Sequence, residues 1–254
     1  MEVALFVPCY IDQFYPGVAI ATLELLEKLG CSVVYPMDQT CCGQPMANAG
    51  FEPYSLKTIH LFARTFARYD YIVTPSGSCA LHVKAHYEPL EQTEDVRRVR
   101  ANTYELCQFL TDVLEVREIE ATFPHRVGLH ASCHGLRGLR LGRSSELSGP
   151  PYDHVRALLE QVRDITLIDL DRQDECCGFG GTFAVMEEAI SVKMGRDRLR
   201  DHLDHGAEVI TGTDMSCLMH LDGLIRRERL PMRVMHVAEI LNGGSQNVKR
   251  KGAS

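Results

Sequence analysis

Cysteine occurs in the same arrangement twice along this chain of 254 residues. In each copy, a single cysteine is followed by an adjacent pair with glycine after it, and then by a further cysteine preceded by serine. Eight of the ten cysteines belong to this arrangement: Cys9, Cys41, Cys42 and Cys79 in the first copy, and Cys133, Cys176, Cys177 and Cys217 in the second. Thiolates from three separated places, with a glycine where backbone passes close to something bulky, indicate one metal or cluster site per half.

A disulfide within either adjacent pair would be strained. Neighbouring residues joined by a trans peptide have Cα atoms ~3.8 Å apart, below the usual disulfide range of ~4.4 to 6.8 Å. The segment from Met1 to Phe6 shows no basic region, long apolar region or cleavage site typical of a secretory signal. We therefore expect a cytoplasmic protein, in a reducing compartment where structural disulfides are rare.

The spacing of the cysteines favours iron-sulfur chemistry over zinc. Zinc usually takes its thiolates from C-x2-C pairs, but Ser76 and Asp214 stand three residues before Cys79 and Cys217, where the first cysteine of such a pair would be. Iron-sulfur clusters tolerate wider spacings and use almost only thiolates. An iron-sulfur cluster in at least one half is the favoured interpretation, with structural zinc, redox-active thiols and inert buried cysteines as alternatives.

Hydrophobic periodicity predicts the same α/β plan in both halves. The predicted strands are 3–7, 31–35 and 71–73, then 127–130, 165–168 and 208–210, and the predicted helices are 17–29, 55–69, 104–116, 152–162 and 184–203. Every cysteine segment follows a strand, and loops at the carboxyl ends of parallel strands converge on one place. The three segments of each half should therefore meet in space.

The duplication predicts an α/β fold of two similar half-domains, each a small parallel sheet flanked by helices. We expect the first half-domain at 1–120, the second at 121–242 with a linker at 118–126, and a flexible tail at 243–254. A net charge of −7 argues against a nucleic-acid partner. No apolar run reaches the ~18 residues of a membrane span, so direct membrane insertion is not expected.

Four motifs resemble a known family, the cysteine-rich proteins with "CCG" domains. They are Cys-Cys-Gly-Gln-Pro at 41–45, Pro-Ser-Gly-Ser-Cys at 75–79, Cys-Cys-Gly-Phe-Gly-Gly-Thr-Phe at 176–183 and Asp-Met-Ser-Cys-Leu at 214–218. More narrowly, the chain is similar to a group of lactate utilization proteins from about Val3 to Leu241. The resemblance implies an iron-sulfur electron-transfer subunit of a system that oxidises L-lactate to pyruvate, an oxidoreductase subunit that is inactive without two partner proteins.

The same domain occurs in the heterodisulfide reductases, where each half supplies five cysteines to a noncubane iron-sulfur cluster. In this chain, Ser76 and Asp214 match the position of the fifth ligand, so they are possible extra ligands or, alternatively, helix N-caps. Four thiolates per half suit a cubane 4Fe-4S cluster, or a noncubane one with an oxygen ligand, in one half or in both. The electron acceptor and the catalytic residues stay open. A thiol-disulfide reductase and a zinc-stabilised scaffold for partners are the alternative functions.

Several other side chains receive a structural interpretation. Cys31 and Cys107 are expected in the core or on the surface rather than at a metal. His134 and His220 lie beside and three residues after cysteines of the second copy, where they can either donate hydrogen bonds to a cluster or serve as structural histidines. His236 has no assigned role.

Overall fold

A computed structural model describes residues 1–88 and 90–243, so the predicted tail from residue 244 onward lies outside the described residues. The described chain contains two four-stranded sheets, both entirely parallel. Helices separate successive strands, which is the connection that parallel strands need. The predicted α/β fold of two similar, duplicated halves is confirmed.

The first sheet has the strand order β2-β1-β3-β4. Its strands are β1 (Glu2–Leu5), β2 (Ser32–Val34), β3 (Ile72–Thr74) and β4 (Thr103–Glu105). The inner strands β1 and β3 are buried on both faces, which explains their continuous apolar sequence. The second sheet repeats the order as β6-β5-β7-β8. Its strands are β5 (Arg126–Leu129), β6 (Thr166–Ile168), β7 (Val209–Gly212) and β8 (Arg233–His236).

The fourth strand of each sheet was not predicted. The helix expected over 104–116 is interrupted, because Thr103–Glu105 pairs with β3 and helical structure begins only at Leu106. Strand β8 pairs with β7 in the same way and ends at His236. Both are edge strands in which polar and apolar residues mix, so neither carries the apolar run of a central strand.

Twelve α-helices flank the two sheets within the described residues. Those of the first half are α1 (Cys9–Phe14), α2 (Pro16–Lys28), α3 (Gln44–Asn48), α4 (Glu52–Phe66), α5 (Gly77–Leu81), α6 (Glu94–Asn102) and α7 (Leu106–Gln108). Those of the second half are α8 (His154–Leu159), α9 (Phe183–Met186), α10 (Glu188–Asp204), α11 (Met215–Glu228) and α12 (Val237–Leu241). Short π-helical turns occupy His82–His86, Phe109–Val113 and His134–Gly138.

One hydrophobic core cluster extends across both halves, and a second lies within the first half. The first cluster of buried side chains runs from strand β1 to helix α12 and includes Ile119 and Phe123, so the predicted linker is packed into the core. The last helix of the second half also packs beside α2 of the first. There, Lys28 Nζ donates to Asn242 Oδ1 at 2.5 Å, and Asn242 Nδ2 donates to Glu24 Oε2 at 2.6 Å. The division into half-domains at 120 stays a prediction.

Membrane-spanning helices were not expected. Among the residues that the structure describes, no helix combines the length and apolar character that crossing a bilayer requires.

Candidate metal centres

The four cysteines of the first half meet beyond the carboxyl ends of β1, β2 and β3. Cys9 opens α1, Cys41 and Cys42 precede α3, and Cys79 lies in α5. The Sγ atoms of Cys9 and Cys41 are 3.9 Å apart, and those of Cys42 and Cys79 are 3.6 Å apart. The Tyr87 hydroxyl donates to the Cys42 carbonyl at 2.7 Å, which fixes the loop that carries the adjacent pair.

The second half repeats this arrangement. Cys133 directly precedes a π-helical turn, Cys176 and Cys177 lie between β6 and α9, and Cys217 lies in α11. Backbone N–H groups point at the sulfur atoms of the pair: Gly178 N donates to Cys176 Sγ and Phe179 N to Cys177 Sγ, both at 3.4 Å. Hydrogen bonds of this kind stabilise negative charge on sulfur.

All eight cysteines line one cavity of about 390 Å³ between the two halves. The rings of Tyr10 and Phe179, one from each half, lie across this cavity with their centroids 6.1 Å apart. The duplicated sites therefore face each other across a shared space instead of lying at opposite ends of the molecule.

The sulfur spacing suits metal binding. Two thiolates bound to one tetrahedral ion with bonds of ~2.3 Å stand ~3.8 Å apart. The distances of 3.9 and 3.6 Å in the first half are of this size, so each pair there fits a single ion. In a 4Fe-4S cluster each thiolate binds its own iron, so the sulfur atoms would have to move apart to hold one. The clustered cysteines can hold a metal cluster, and their all-sulfur donor set matches iron-sulfur ligation.

One cysteine of each half is prepared as a thiolate. Hydrogen bonds from the thiols of Cys42 and Cys9 lower the pKa of Cys41 to about 3. Cys133 and Cys177 lower the pKa of Cys176 to about 2 in the same way. Their donors hold their protons more tightly, and the pKa of Cys9 is raised by its hydrogen bond to Cys41 and by burial. Metal binding must therefore displace protons from the neighbouring thiols.

Both glycines after the pairs adopt left-handed backbone, with φ of +92° at Gly43 and +87° at Gly178. A Cβ on Gly178 would lie 2.5 Å from the Ser191 carbonyl oxygen, whereas one on Gly43 would meet the Ile59 side chain at 3.0 Å. Glycine is therefore required by conformation at both positions and by close backbone packing at the second.

The two possible extra ligands are hydrogen-bonded to each other across the interface of the halves. Ser76 is the N-cap of α5 and accepts a hydrogen bond from Cys79 N at 3.2 Å, as the capping alternative predicts. Asp214 does not cap its own helix through its side chain; instead its Oδ1 accepts from Ser76 Oγ at 3.0 Å and from Ser78 N at 2.8 Å. Its Oδ2 accepts from Ser132 Oγ at 2.5 Å. Ligation of a cluster by Ser76 or Asp214 stays a prediction.

The remaining cysteines and the three histidines named from the sequence lie in different surroundings. Cys31 and Cys107 are buried in the core, as expected. His134 lines the cavity, and His220 Nε2 lies 3.4 Å from the Ser191 carbonyl oxygen. His236 is the N-cap of α12, where its Nδ1 accepts from Ala238 N at 3.1 Å.

Sequence reasoning missed two buried histidines. His130 lines the cavity at the end of β5, and His82 lies beside the first site, three residues after Cys79. Burial lowers the pKa of His130 to about 3 and that of His82 to about 4, so both rings are neutral near pH 7. The repeated spacing Cys-x-x-His, in which His220 follows Cys217 as His82 follows Cys79, was the available signal for the second of these.

The family of the chain follows from this geometry and from comparison with known proteins. Residues 3–84 and 127–222 match the family model of the cysteine-rich domain known as CCG, one match for each half. The class of protein is therefore a duplicated cysteine-rich domain with its cysteine loops at the carboxyl ends of two parallel sheets.

Two relatives narrow the assignment. The sequence is 43% identical over 246 residues to lactate utilization protein A of Geobacillus thermodenitrificans, which covers 95% of this chain and 99% of that protein. It is 41% identical over 246 residues to lactate utilization protein A of Halalkalibacterium halodurans, covering 95% and 97%. The chain belongs to the lactate utilization protein A family.

A crystal structure of a hypothetical protein from Helicobacter pylori resembles the fold with a TM-score of 0.54 and 12% identity. The likeness covers 94% of this chain but only 48% of the other, about half its length, and it concerns the fold alone.

Proposed function

We propose that this chain is an iron-sulfur electron-transfer subunit of a system that oxidises L-lactate to pyruvate. The observation that carries the proposal is the convergence of eight cysteines, four from each half, on one cavity between the halves. The names of the relatives point to lactate as the compound that the system uses.

In each half, the cysteines would hold a 4Fe-4S cluster, cubane or noncubane. Such clusters accept and release single electrons, and their potential depends on ligand type, hydrogen bonds to sulfur and burial. The chain supplies the last two: the N–H groups of Gly178 and Phe179 point at sulfur, and Cys42 and Cys177 are buried. The shared cavity brings both proposed centres to one surface where a donor can approach.

The proposal includes partners, because the sequence offers no G-x-G-x-x-G dinucleotide motif that would supply its own hydride acceptor. We propose that two other lactate utilization proteins complete the system and that this chain is inactive without them. The isolated chain should then leave L-lactate unchanged when an artificial electron acceptor is offered. Rapid conversion of L-lactate to pyruvate by the chain alone would overturn the relay and locate the substrate site here.

Metal analysis of two matched variants tests the centres themselves. Anaerobically purified protein should contain iron and acid-labile sulfide, and Cys42→Ser and Cys177→Ser should each lose about half of the iron, because each removes a ligand from one half. Cys31→Ser is the control, since Cys31 precedes β2 at the end opposite the adjacent pair and should leave iron unchanged. Full iron in both site variants, or zinc without sulfide in the parent protein, would contradict the assignment.

A thiol-disulfide reductase is the second candidate. A partly exposed thiol of lowered pKa near a second thiol is the arrangement of a redox-active pair. Cys41 is partly exposed and has a lowered pKa, and its Sγ atom lies 3.9 Å from that of Cys9. Thiol counting before and after mild oxidation of metal-free protein separates this function from electron relay. A reversible loss of two thiols that Cys9→Ser abolishes would support it.

A further inference from the structure

His130 is a buried histidine without hydrogen-bonded ring atoms. It follows β5 directly and is 2% exposed. Neither of its ring nitrogens has a hydrogen-bond partner in the part of the chain that the structure describes. Leaving a buried polar group unpaired is unfavourable, so a ring held in this way is suited to binding a ligand.

The ring lies where a metal donor would be useful. His130 lines the cavity between the two sets of cysteines. One of its ring nitrogens and the Sγ atoms of Cys177 and Cys217 all lie within 4.8 Å of one another. Donors bound to one tetrahedral ion stand ~3.5–3.8 Å apart, so the three atoms are close enough to serve one ion or neighbouring irons of one cluster.

The backbone under the ring is held by its neighbour strand. His130 N donates to the Thr211 carbonyl of β7 at 2.7 Å. A Cβ on Gly212 would lie 2.8 Å from the His130 carbonyl oxygen, so glycine there permits the close approach of the two strands. The imidazole therefore projects from a fixed point, which is the preorganisation that a metal ligand needs.

The equivalent position of the first half carries no donor. Phe6 lies three residues before Cys9, as His130 lies three residues before Cys133, and each directly follows the first strand of its half. The Phe6 ring packs edge-on against Phe62, with centroids 4.9 Å apart. The difference between the halves is therefore specific to one side chain on a duplicated backbone.

Another cluster of metal-binding residue types, Asp171, Asp201 and His205, is explained without a metal. Both oxygens of Asp201 accept backbone N–H groups, and its carboxylate pairs with the buried Arg198 at 3.2 Å. His130 has no such internal partner among the described residues.

We propose that the imidazole of His130 is a ligand of the metal centre in the second half, beside Cys177 and Cys217, and that Phe6 provides no equivalent donor to the first centre. The inference rests on the proposed metal sites. Exchanging sulfur for nitrogen donors changes the potential of a cluster, as in Rieske centres. The two centres of one chain would then differ in their affinity for electrons, which gives a relay a direction.

Pulsed EPR on protein labelled with ¹⁵N-histidine tests the ligand, with each centre isolated in turn. Cys42→Ser protein should keep only the second centre and, after anaerobic reconstitution and reduction, show a strong nitrogen hyperfine coupling. Cys177→Ser protein should keep only the first centre and show none. In the Cys42→Ser background, His130→Phe introduces the residue that the first half carries at this position, and it should lose the coupling. His82 is also a buried histidine, and the control variant His82→Phe should retain the coupling.

His130→Gln distinguishes metal ligation from a hydrogen-bonding role, because it keeps a polar side chain but removes the ring. It should lose the strong coupling, as His130→Phe does. Strong coupling that persists in His130→Phe, or its absence from iron-loaded Cys42→Ser protein, overturns the inference while the proposed function stands. Weak coupling alone means a hydrogen bond to sulfur and also overturns it. Circular dichroism checks that each variant is folded.

A chain that takes up neither iron nor sulfide would instead contradict the proposed function. Titration of the Cys42→Ser protein with Co²⁺ alone then decides on His130, because its visible bands depend on the donor set. His130→Phe in that background should shift these bands if the imidazole binds, and identical spectra would exclude it.

Discussion

Removal of the Asp214 carboxylate should destabilise the protein through the interface of its two halves. The carboxylate is 2% exposed and accepts hydrogen bonds from Ser76 Oγ, Ser78 N and Ser132 Oγ. A hydrogen bond to a charged group is worth ~1.5–3 kcal/mol, so the three together represent roughly 4.5–9 kcal/mol before compensation.

Two of the three donors have alternatives. Ser76 Oγ lies 3.1 Å from Ser78 Oγ, and Ser132 Oγ lies 3.4 Å from Thr213 Oγ1, so both hydroxyls can turn to another acceptor. Ser78 N keeps no acceptor at this point once the carboxylate is gone. We expect Asp214→Ala to lower the free energy of unfolding by about 3 kcal/mol, the cost of a stranded buried donor plus the lost charge-assisted bonds.

The isosteric change should cost less. Asp214→Asn retains an oxygen for Ser76 and Ser78 N, and its amide can donate to Ser132 Oγ, so a loss of about 1 kcal/mol is expected. Urea unfolding of the reduced, metal-free protein, followed by far-UV circular dichroism, measures both. Asp70→Ala is the control, because it removes an exposed carboxylate whose ion pair with Arg98 is worth under about 1 kcal/mol. If Asp214→Ala costs no more than this control, the interface argument fails.

Two further predictions concern a buried carboxyl and the paired glycines. Burial raises the pKa of Glu105 from 4.5 to about 8, so the unfolded chain loses this proton at lower pH than the folded protein does. The contribution of protonated Glu105 to the free energy of unfolding is therefore intact below pH 4.5. It falls by up to ~1.4 kcal/mol per pH unit as pH rises and is lost by about pH 8. Glu105→Gln should flatten that slope in urea unfolding series, and an unchanged slope would exclude Glu105 as its source. Gly178→Ala should cost about 2–4 kcal/mol, because its Cβ would meet backbone at 2.5 Å in addition to left-handed strain. Gly43→Ala should cost only about 1–2 kcal/mol, since its Cβ meets a movable side chain; equal losses would contradict the difference.

The central strands and the meeting of the cysteines were predictable because local sequence carries both signals. Ala4 and Ile72 lie in continuous apolar runs, and they are fully buried in the inner strands. Strands β4 and β8 were not predictable in this way. Glu105 and His236 end β4 and β8, and each is a buried polar residue that caps the following helix, so its burial comes from tertiary packing.

The core that extends across both halves could not be predicted from hydrophobic periodicity either. An apolar stripe shows that a helix has a buried face, but it does not say which element covers that face. Here α12 of the second half lies against α2 of the first, and Phe123 of the predicted linker is 5% exposed. Long-range pairings of this kind decide how the two cysteine sets come to face one cavity.

The interface also accounts for a difference between the two halves of this duplicated chain. Ser76 and Asp214 occupy equivalent positions, three residues before Cys79 and Cys217, and Ser76 Oγ lies 3.0 Å from Asp214 Oδ1. Two carboxylates at this separation would repel each other, and one would be forced to bind a proton. Two serines would leave Ser78 N without its charged acceptor. One serine with one carboxylate satisfies the three donors at this contact, so the two proposed metal centres have different surroundings where the halves meet.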